Sequence, residues 1–258
     1  MNDKLNWVLI VLGLFAGMLV MIEFGRQLGL RRMARDAEGV RTGLAALEGA
    51  VFGLLGLLVA FAFSGAVSRF DVRRQLIVAE ANNVGTAWLR LDLLPTSAQP
   101  PLRDLFRHYL DSRLEIYQRL PNMEAARAAW ERANQLQGEI WSSATAACRS
   151  DDTHDATRLL LPALNEMFDI TTQRTMAMLH HPPKIVFVLL FVLALGCSLI
   201  AGYGMAGGKH RSWMHMIVFS ACVAVTVYVI LDIEFPRYGL IRVDAADQAL
   251  IAVRENMK

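Results

Sequence analysis

Charge is scarce in this chain, and recognisable catalytic motifs are scarcer. Only 19% of its 258 residues are charged, and the net charge is +2. That balance is too weak for a nucleic-acid surface, and the arginines are scattered rather than gathered in one tract among aromatics. The three cysteines, Cys148, Cys197 and Cys222, form no CxxC pair. Neither a disulfide framework nor a zinc site follows from them. G-x-S-x-G, P-loop and HExxH strings are missing, so the sequence announces no enzymatic reaction and implies no cofactor. Asp151, Asp152, His154 and Asp155 match no calcium-loop spacing and read as a polar connection, not a metal site. Strand alternation and internal repeats are missing too, which leaves an all-α reading.

What the chain has is apolar length: 54% of its residues are hydrophobic. A bilayer core takes about 20 apolar residues of helix. Four stretches meet that need, at about 7–24, 44–67, 185–206 and 213–231. Trp7 marks an interface, and Glu23 with Arg26 marks the far end of the first. The N-terminal run has no A-x-A-like site after it and reads as a retained span. Residues 25–43 read as a short polar loop, with an interfacial helical turn as the alternative, carrying Arg26, Arg31, Arg32, Arg35 and Arg41 against Asp36 and Glu38.

After Val67 the chain does not turn. Gly85 is the only glycine before Pro95, and Phe70, Leu76, Ile77, Val84, Trp88 and Leu91 keep helical spacing. The second span therefore continues as one long helix that leaves the membrane. Helices follow at about 102–120, opened by Pro100 and Pro101, at 123–148, and at 155–179, with Pro162 as a kink. Residues 180–184, HHPPK, form a sharp joint. Asp244 suits the cap of a last helix over 245–256.

The predicted fold is thus an all-α membrane protein: four transmembrane helices in two hairpins, with a helical domain inserted between spans 2 and 3. Its parts are hairpin 1 (1–67), the helical domain (68–183), hairpin 2 (184–233) and a tail (234–258). An even number of spans puts both termini and the inserted domain on one side. Positively charged residues flank the spans about equally on both sides, so the positive-inside rule assigns no orientation.

The second span carries the functional expectation. Gly49, Gly53, Gly56, Ala60 and Ser64 form a small row, first of all a seam for helix packing. Phe52, Leu55, Val59 and Phe63 form a bulky row. It is either lipid-facing filler or a dry constriction lining a pore. Glu48 lies near the membrane edge, where it is solvated, paired or functional. Arg69, Asp71, Arg73 and Arg74 stand where the helix emerges, as a salt-bridged face or a basic vestibule. Asn82, Asn83, Arg90 and Asp92 follow, as inter-helix hydrogen-bonders or a second constriction. Asp232, Glu234, Arg237 and Arg242 cluster after span 4 as candidate ion pairs, and His180 and His181 sit at the interface.

Five blocks then carry a resemblance: EGAVFGLLGLLVAFAFSGA, RFDVRRQLIVAEANNVGTAWLRLDLLP, LLLPALNEMFD, HPPK and DIEFPRYGLIRVD. In this order they resemble the bacterial bestrophin-like family, named for a distant likeness to bestrophin anion channels. The resemblance covers the chain from about Leu44 onward. It implies a multimer, tetrameric or pentameric, in the bacterial inner membrane, with a large cytosolic helical domain. It also implies a second span lining a pore that narrows at bulky apolar side chains. The calcium pattern of animal bestrophins is not recognisable in this chain.

Two functions follow as expectations. The first is an oligomeric, anion-selective channel in the lipid bilayer, passing inorganic anions such as chloride, with no nucleic-acid partner. The second is a non-conducting scaffold or sensor whose helical domain binds another protein. Both need self-association.

Overall fold

The computed structural model describes residues 2–34, 44–119, 122–149, 154–207, 212–236 and 239–257. Every regular element among them is helical: α1 (Asn2–Met33), α2 (Leu44–Arg90), α3 (Gln99–Arg119), α4 (Met123–Ala147), α5 (His154–Leu179), α6 (Lys184–Gly204), α7 (Trp213–Glu234) and α8 (Asp244–Asn256). Short 3-10 turns follow α2 and α6. Four helices are long and apolar enough to cross a membrane. The chain divides into a membrane unit, residues 1–68 and 181–240, and a helical unit, residues 69–180 and 241–258.

The membrane unit holds α1, the start of α2, α6 and α7. Leu14, Met18, Leu55, Leu190, Ala194, Cys197, Val227 and Leu231 form its core. Its outside is also apolar, with Leu9, Leu12, Val20, Ile185, Val192 and Val225 exposed. That inversion suits a lipid surround, where hydrophobicity does not separate inside from outside and close packing must hold helices together. The closest packing joins α1 to α6. A methyl group on Gly25 would collide with the Leu199 carbonyl, and one on Gly202 with the Ile22 carbonyl. One on Gly29 would lie 2.8 Å from the Tyr203 carbonyl oxygen.

These contacts explain a correction. Residues 25–33, read from sequence as loop, continue α1. Gly25 and Gly29 look like breakers but sit one helical turn apart on the face that meets α6. Arg35, Asp36, Glu38 and Arg41 lie outside the described residues. The string Gly202-Tyr203-Gly204-Met205-Ala206-Gly207 matches a dinucleotide fingerprint by letters. It closes a membrane helix instead of joining a strand to a helix, so the match carries no chemistry.

In the helical unit, Ile77, Val84, Leu91, Leu102, Phe106, Tyr109, Leu110, Ile140, Leu160, Leu164 and Met167 are buried together. The emerging half of α2 runs antiparallel to α5, and side chains of α2 bond to α5 carbonyls along the pair. Arg73 Nε donates to Ala177 (3.0 Å) and its Nη2 to His180 (3.2 Å). Asn83 donates to Glu166 (3.0 Å) and Arg90 to Leu159 (2.6 Å). Arg73 thereby satisfies carbonyls at the end of α5, where a helix has no partners of its own and its dipole favours a cation. Asn122 caps α4 by accepting from the Ala125 N–H at 3.2 Å. Pro162 sits inside α5 without ending it.

The glycine contacts generate a paired prediction. Gly202→Val is expected to destabilise the protein by on the order of 3 kcal/mol through overpacking. Gly53→Val leaves the single chain's packing intact, since no atom of the described residues lies within 4 Å of a methyl placed there. Thermal unfolding in detergent, followed by circular dichroism at a dilution that dissociates oligomers, checks both.

Candidate functional site

In the membrane unit, α2 turns its bulky row inward. Leu55 is 5% exposed and lies in the core. Phe52 meets Phe219 edge-on, with centroids 5.7 Å apart, and Val59 packs on the same core. The Val51 carbonyl accepts a hydrogen bond from Cys197 Sγ at 3.7 Å. Phe63, the fourth of the row, is exposed. The opposite face is open: Gly49, Gly53, Gly56, Ala60 and Ser64 are all exposed. Among the described residues, no atom lies within 4 Å of a methyl placed on Gly49, Gly53 or Gly56. Three of the four pore candidates are thus committed to the chain's own packing, because α2 needs an apolar face to bind α6 and α7. The glycines of the small row have no neighbour among the described residues. Half-buried Glu48 lies beside α6, its Oε1 2.9 Å from where Gly204 would carry a side chain.

In the helical unit, the exposed face of α2 carries Gln75, Val78, Asn82, Thr86 and Leu89, spaced by three or four residues. No charge stands on it from Gln75 to Leu89; one turn earlier, Asp71 and Arg74 are exposed. The single charge between Gln75 and Leu89 is Glu80, which is 0% exposed. Arg113 Nε donates to Glu80 Oε1 at 2.6 Å, and its Nη2 to Oε2 at 3.3 Å. Arg174 Nη1 donates to Glu80 Oε2, and its Nη2 lies 3.7 Å from Asp247 of α8. Arg113 also donates to the Tyr117 hydroxyl, and the Tyr117 ring stacks under the Arg174 guanidinium at 3.9 Å. Two cations and two anions from α2, α3, α5 and α8 thus meet in the interior.

Electrostatics decides the state of this network. Burial pushes the Glu80 carboxyl up, but the charges and hydrogen bonds of Arg113 and Arg174 outweigh it and hold it below the usual carboxylate range. Burial would discharge Arg113, yet Tyr117, Glu80 and Tyr109 outweigh that and keep it protonated. Burial above all pushes the Tyr109 phenol up, so it stays neutral and accepts from Gln137 at 3.3 Å.

The remaining candidates separate. Arg74 pairs with Asp71 at 3.6 Å on an exposed face and lies over Phe70. Arg69 is half-buried, and Arg73 is buried as the cap of α5. Asn83 and Arg90 bond to α5, and Asp92 pairs with Arg103. Asn82 faces outward, and Asp92 stays exposed beside Arg103. After α7, Glu234 is fully buried and meets His181 Nδ1 at 2.9 Å. The His181 ring stacks on Phe235 (4.5 Å), and Phe235 stacks on Trp7 (4.7 Å). Both Asp232 oxygens accept from the Leu240 N–H at 2.9 and 3.0 Å. Any side chain on Gly239 would strike that carboxylate. Arg237, Asp151 and Asp152 lie outside the described residues. Among those described, no cluster of three or more acidic, histidine or cysteine side chains has metal-binding geometry.

The Glu80 network was missed from sequence, though a signal existed. Arg113 occupies an apolar position of α3, in register with Tyr109, Leu110, Ile116 and Tyr117. A charge at a core position demands a buried partner.

Four apolar helices, joined to a helical unit built around an internal ion network, define a multi-pass α-helical membrane protein. The Bestrophin-like domain model matches residues 12–247. The chain belongs to that family, and the match reaches into α1, well before the Leu44 at which the resembling blocks begin. No curated protein and no solved structure matches the chain.

The network yields a pH prediction. A carboxyl held below its unfolded value stabilises the fold above the unfolded pKa and loses that contribution as pH falls through the folded one. Acid is therefore expected to weaken the helical unit. Glu80→Gln should cost about 3–5 kcal/mol at neutral pH, because it strands two buried guanidinium groups. It should also flatten the acid limb of the unfolding midpoint, read by tryptophan fluorescence between pH 3 and 8.

Proposed function

We propose that this protein is an oligomeric, anion-selective channel in which the α2 helices of several copies surround a central pore. The observation that supports it is the open, nearly charge-free face of α2, read together with membership in the bestrophin-like family. In the membrane unit that face is small, which lets α2 helices of neighbouring copies approach. In the helical unit it is uncharged from Gln75 to Leu89, beyond the exposed Asp71–Arg74 pair, with Glu80 withdrawn behind two arginines. A wall without exposed carboxylates between Gln75 and Leu89 does not repel an anion. Phe63 stands at the edge of the open face and is our candidate for the apolar narrowing, which closes by dewetting. Phe52, Leu55 and Val59 act by seating α2 on the rest of its own unit. The assembly is a tetramer or pentamer in the bacterial inner membrane, with the helical unit and both termini in the cytosol.

A second reading, a non-conducting scaffold or sensor, has one observation behind it: Trp130 and Trp141 are exposed on α4, as on a surface that meets protein.

The test is ion flux through purified protein in liposomes, under chloride and potassium gradients. Chloride-selective flux is expected, rising several-fold with Phe63→Ala and falling with Asn82→Asp, which puts a carboxylate on the wall at a cost of roughly 1–2 kcal/mol to a passing anion. Leu55→Ala should lower stability without a specific gain in flux. No flux from any of these proteins, with insertion and assembly verified, would overturn the channel reading and favour the scaffold.

A further inference from the structure

Helix α4 buries Leu136 and Ile140 together with Ala126, Ala129, Ala133 and Ala144, yet turns its two largest side chains, Trp130 and Trp141, outward, 45% and 36% exposed. Tryptophan is a costly side chain to leave in water and among those most enriched at the centre of protein interfaces. Between the two lie Asn134 and Gly138, both exposed. All four residues fall on one stripe of the helix, because they are spaced by four, four and three. No atom of the described residues is within 4 Å of a methyl placed on Gly138. A glycine inside a helix costs about 1 kcal/mol against alanine, and no contact among the described residues makes use of this one.

The stripe complements itself when a second copy is turned end for end, which is the defining property of an isologous interface. In one antiparallel register, Trp130 of each copy meets Trp141 of the other, and Asn134 of each lies over Gly138 of the other. The side chain that would obstruct the approach thus meets the position that has none. An asparagine in such a seam also penalises slipped registers, which would bury its amide against an indole. The ends agree. Exposed Glu124 lies in the first turn of α4, and exposed Arg149 lies just beyond the last. The same register brings each acid to the other's base, and the two helix dipoles oppose favourably. Arg127 and Glu131 beside the stripe already pair within the helix at 3.1 Å, so they add no uncompensated charge.

We propose that α4 is a two-fold self-association surface. Two copies of this chain pack α4 against α4 antiparallel, with Asn134 seated over Gly138 at the crossing and Trp130 against Trp141 on either side. Gly138 sets the close approach, and the tryptophans supply the buried area. A two-fold contact of this kind differs from the head-to-tail contact that repeats between neighbours around a cyclic ring of subunits. The contact uses the helical unit alone and does not rest on the channel reading; it holds equally for a conducting or a silent assembly.

The test is disulfide trapping in the full-length protein in detergent, with Cys148, Cys197 and Cys222 replaced by alanine. Two differently tagged variants are co-expressed and mildly oxidised. Asn134→Cys with Gly138→Cys is expected to give the cross-linked heterodimer, and so is Trp130→Cys with Trp141→Cys. Trp130→Cys alone should not cross-link, since the antiparallel register holds it far from its own copy. Gly138→Trp added to both members of the tryptophan-site pair should cut the cross-linked fraction by roughly tenfold, by filling the crossing. All four positions are exposed, and circular dichroism verifies that each variant is folded. Absence of the heterodimer from both pairs, or self-cross-linking of Trp130→Cys, overturns the proposal.

Discussion

A carboxylate without solvent exposure cannot stay charged unless the protein supplies its counter-charges, and Glu80 has two. Arg113 comes from α3, Arg174 from α5, and Asp247 on α8 balances the second arginine. Four helices distant in sequence must be in place before any of these charges is satisfied. The cost of leaving one unpaired in the interior is several kcal/mol, so the network acts as an all-or-none condition on the helical unit. It specifies an arrangement more than it adds stability, since an apolar core of the same volume would hold as well. The condition extends to α8, which is tied again by the fork of Arg254 on Asp111 and by Arg107 on the Met257 carbonyl.

The network also fixes what α2 shows to the outside. A glutamate in a long uncharged stretch of helix has two places to go: the open face or the interior. Sending it inward leaves Gln75, Val78, Asn82, Thr86 and Leu89 as the exposed set. The charge character of that wall is thus decided by arginines on other helices that never reach it. Local sequence on α2 could not reveal this, because the compensating residues stand 33 and 94 positions away.

That distance marks the limit of what the sequence disclosed. The helices were legible, several to within a residue: the ends expected for α4, α5 and α6 differ little from Met123–Ala147, His154–Leu179 and Lys184–Gly204. Apolar periodicity and proline carry that information locally. The direction a helix face takes is another matter. The bulky and small rows of α2 were visible, but periodicity says only that two faces differ. Which one meets α6 and α7 depends on partners that periodicity does not name. Residues 25–33 failed for the complementary reason: glycine reads as a breaker in water, whereas beside Leu199 and Tyr203 it is what permits contact.

Glycine thus does two different things in this membrane unit, and the contrast bears on assembly. At Gly25 and Gly29 of α1 and Gly202 of α6 the space is filled by backbone of the facing helix. On α2 the same spacing is open across Gly49, Gly53 and Gly56. A glycine in a helix interior costs about 1 kcal/mol against alanine. Where α1 meets α6, that cost is offset by packing inside the chain. On α2 no contact among the described residues offsets it. Three such glycines on one face of one span are a recurring expense that a single chain does not recover, and a close neighbour from another copy is the simplest place for it to be recovered.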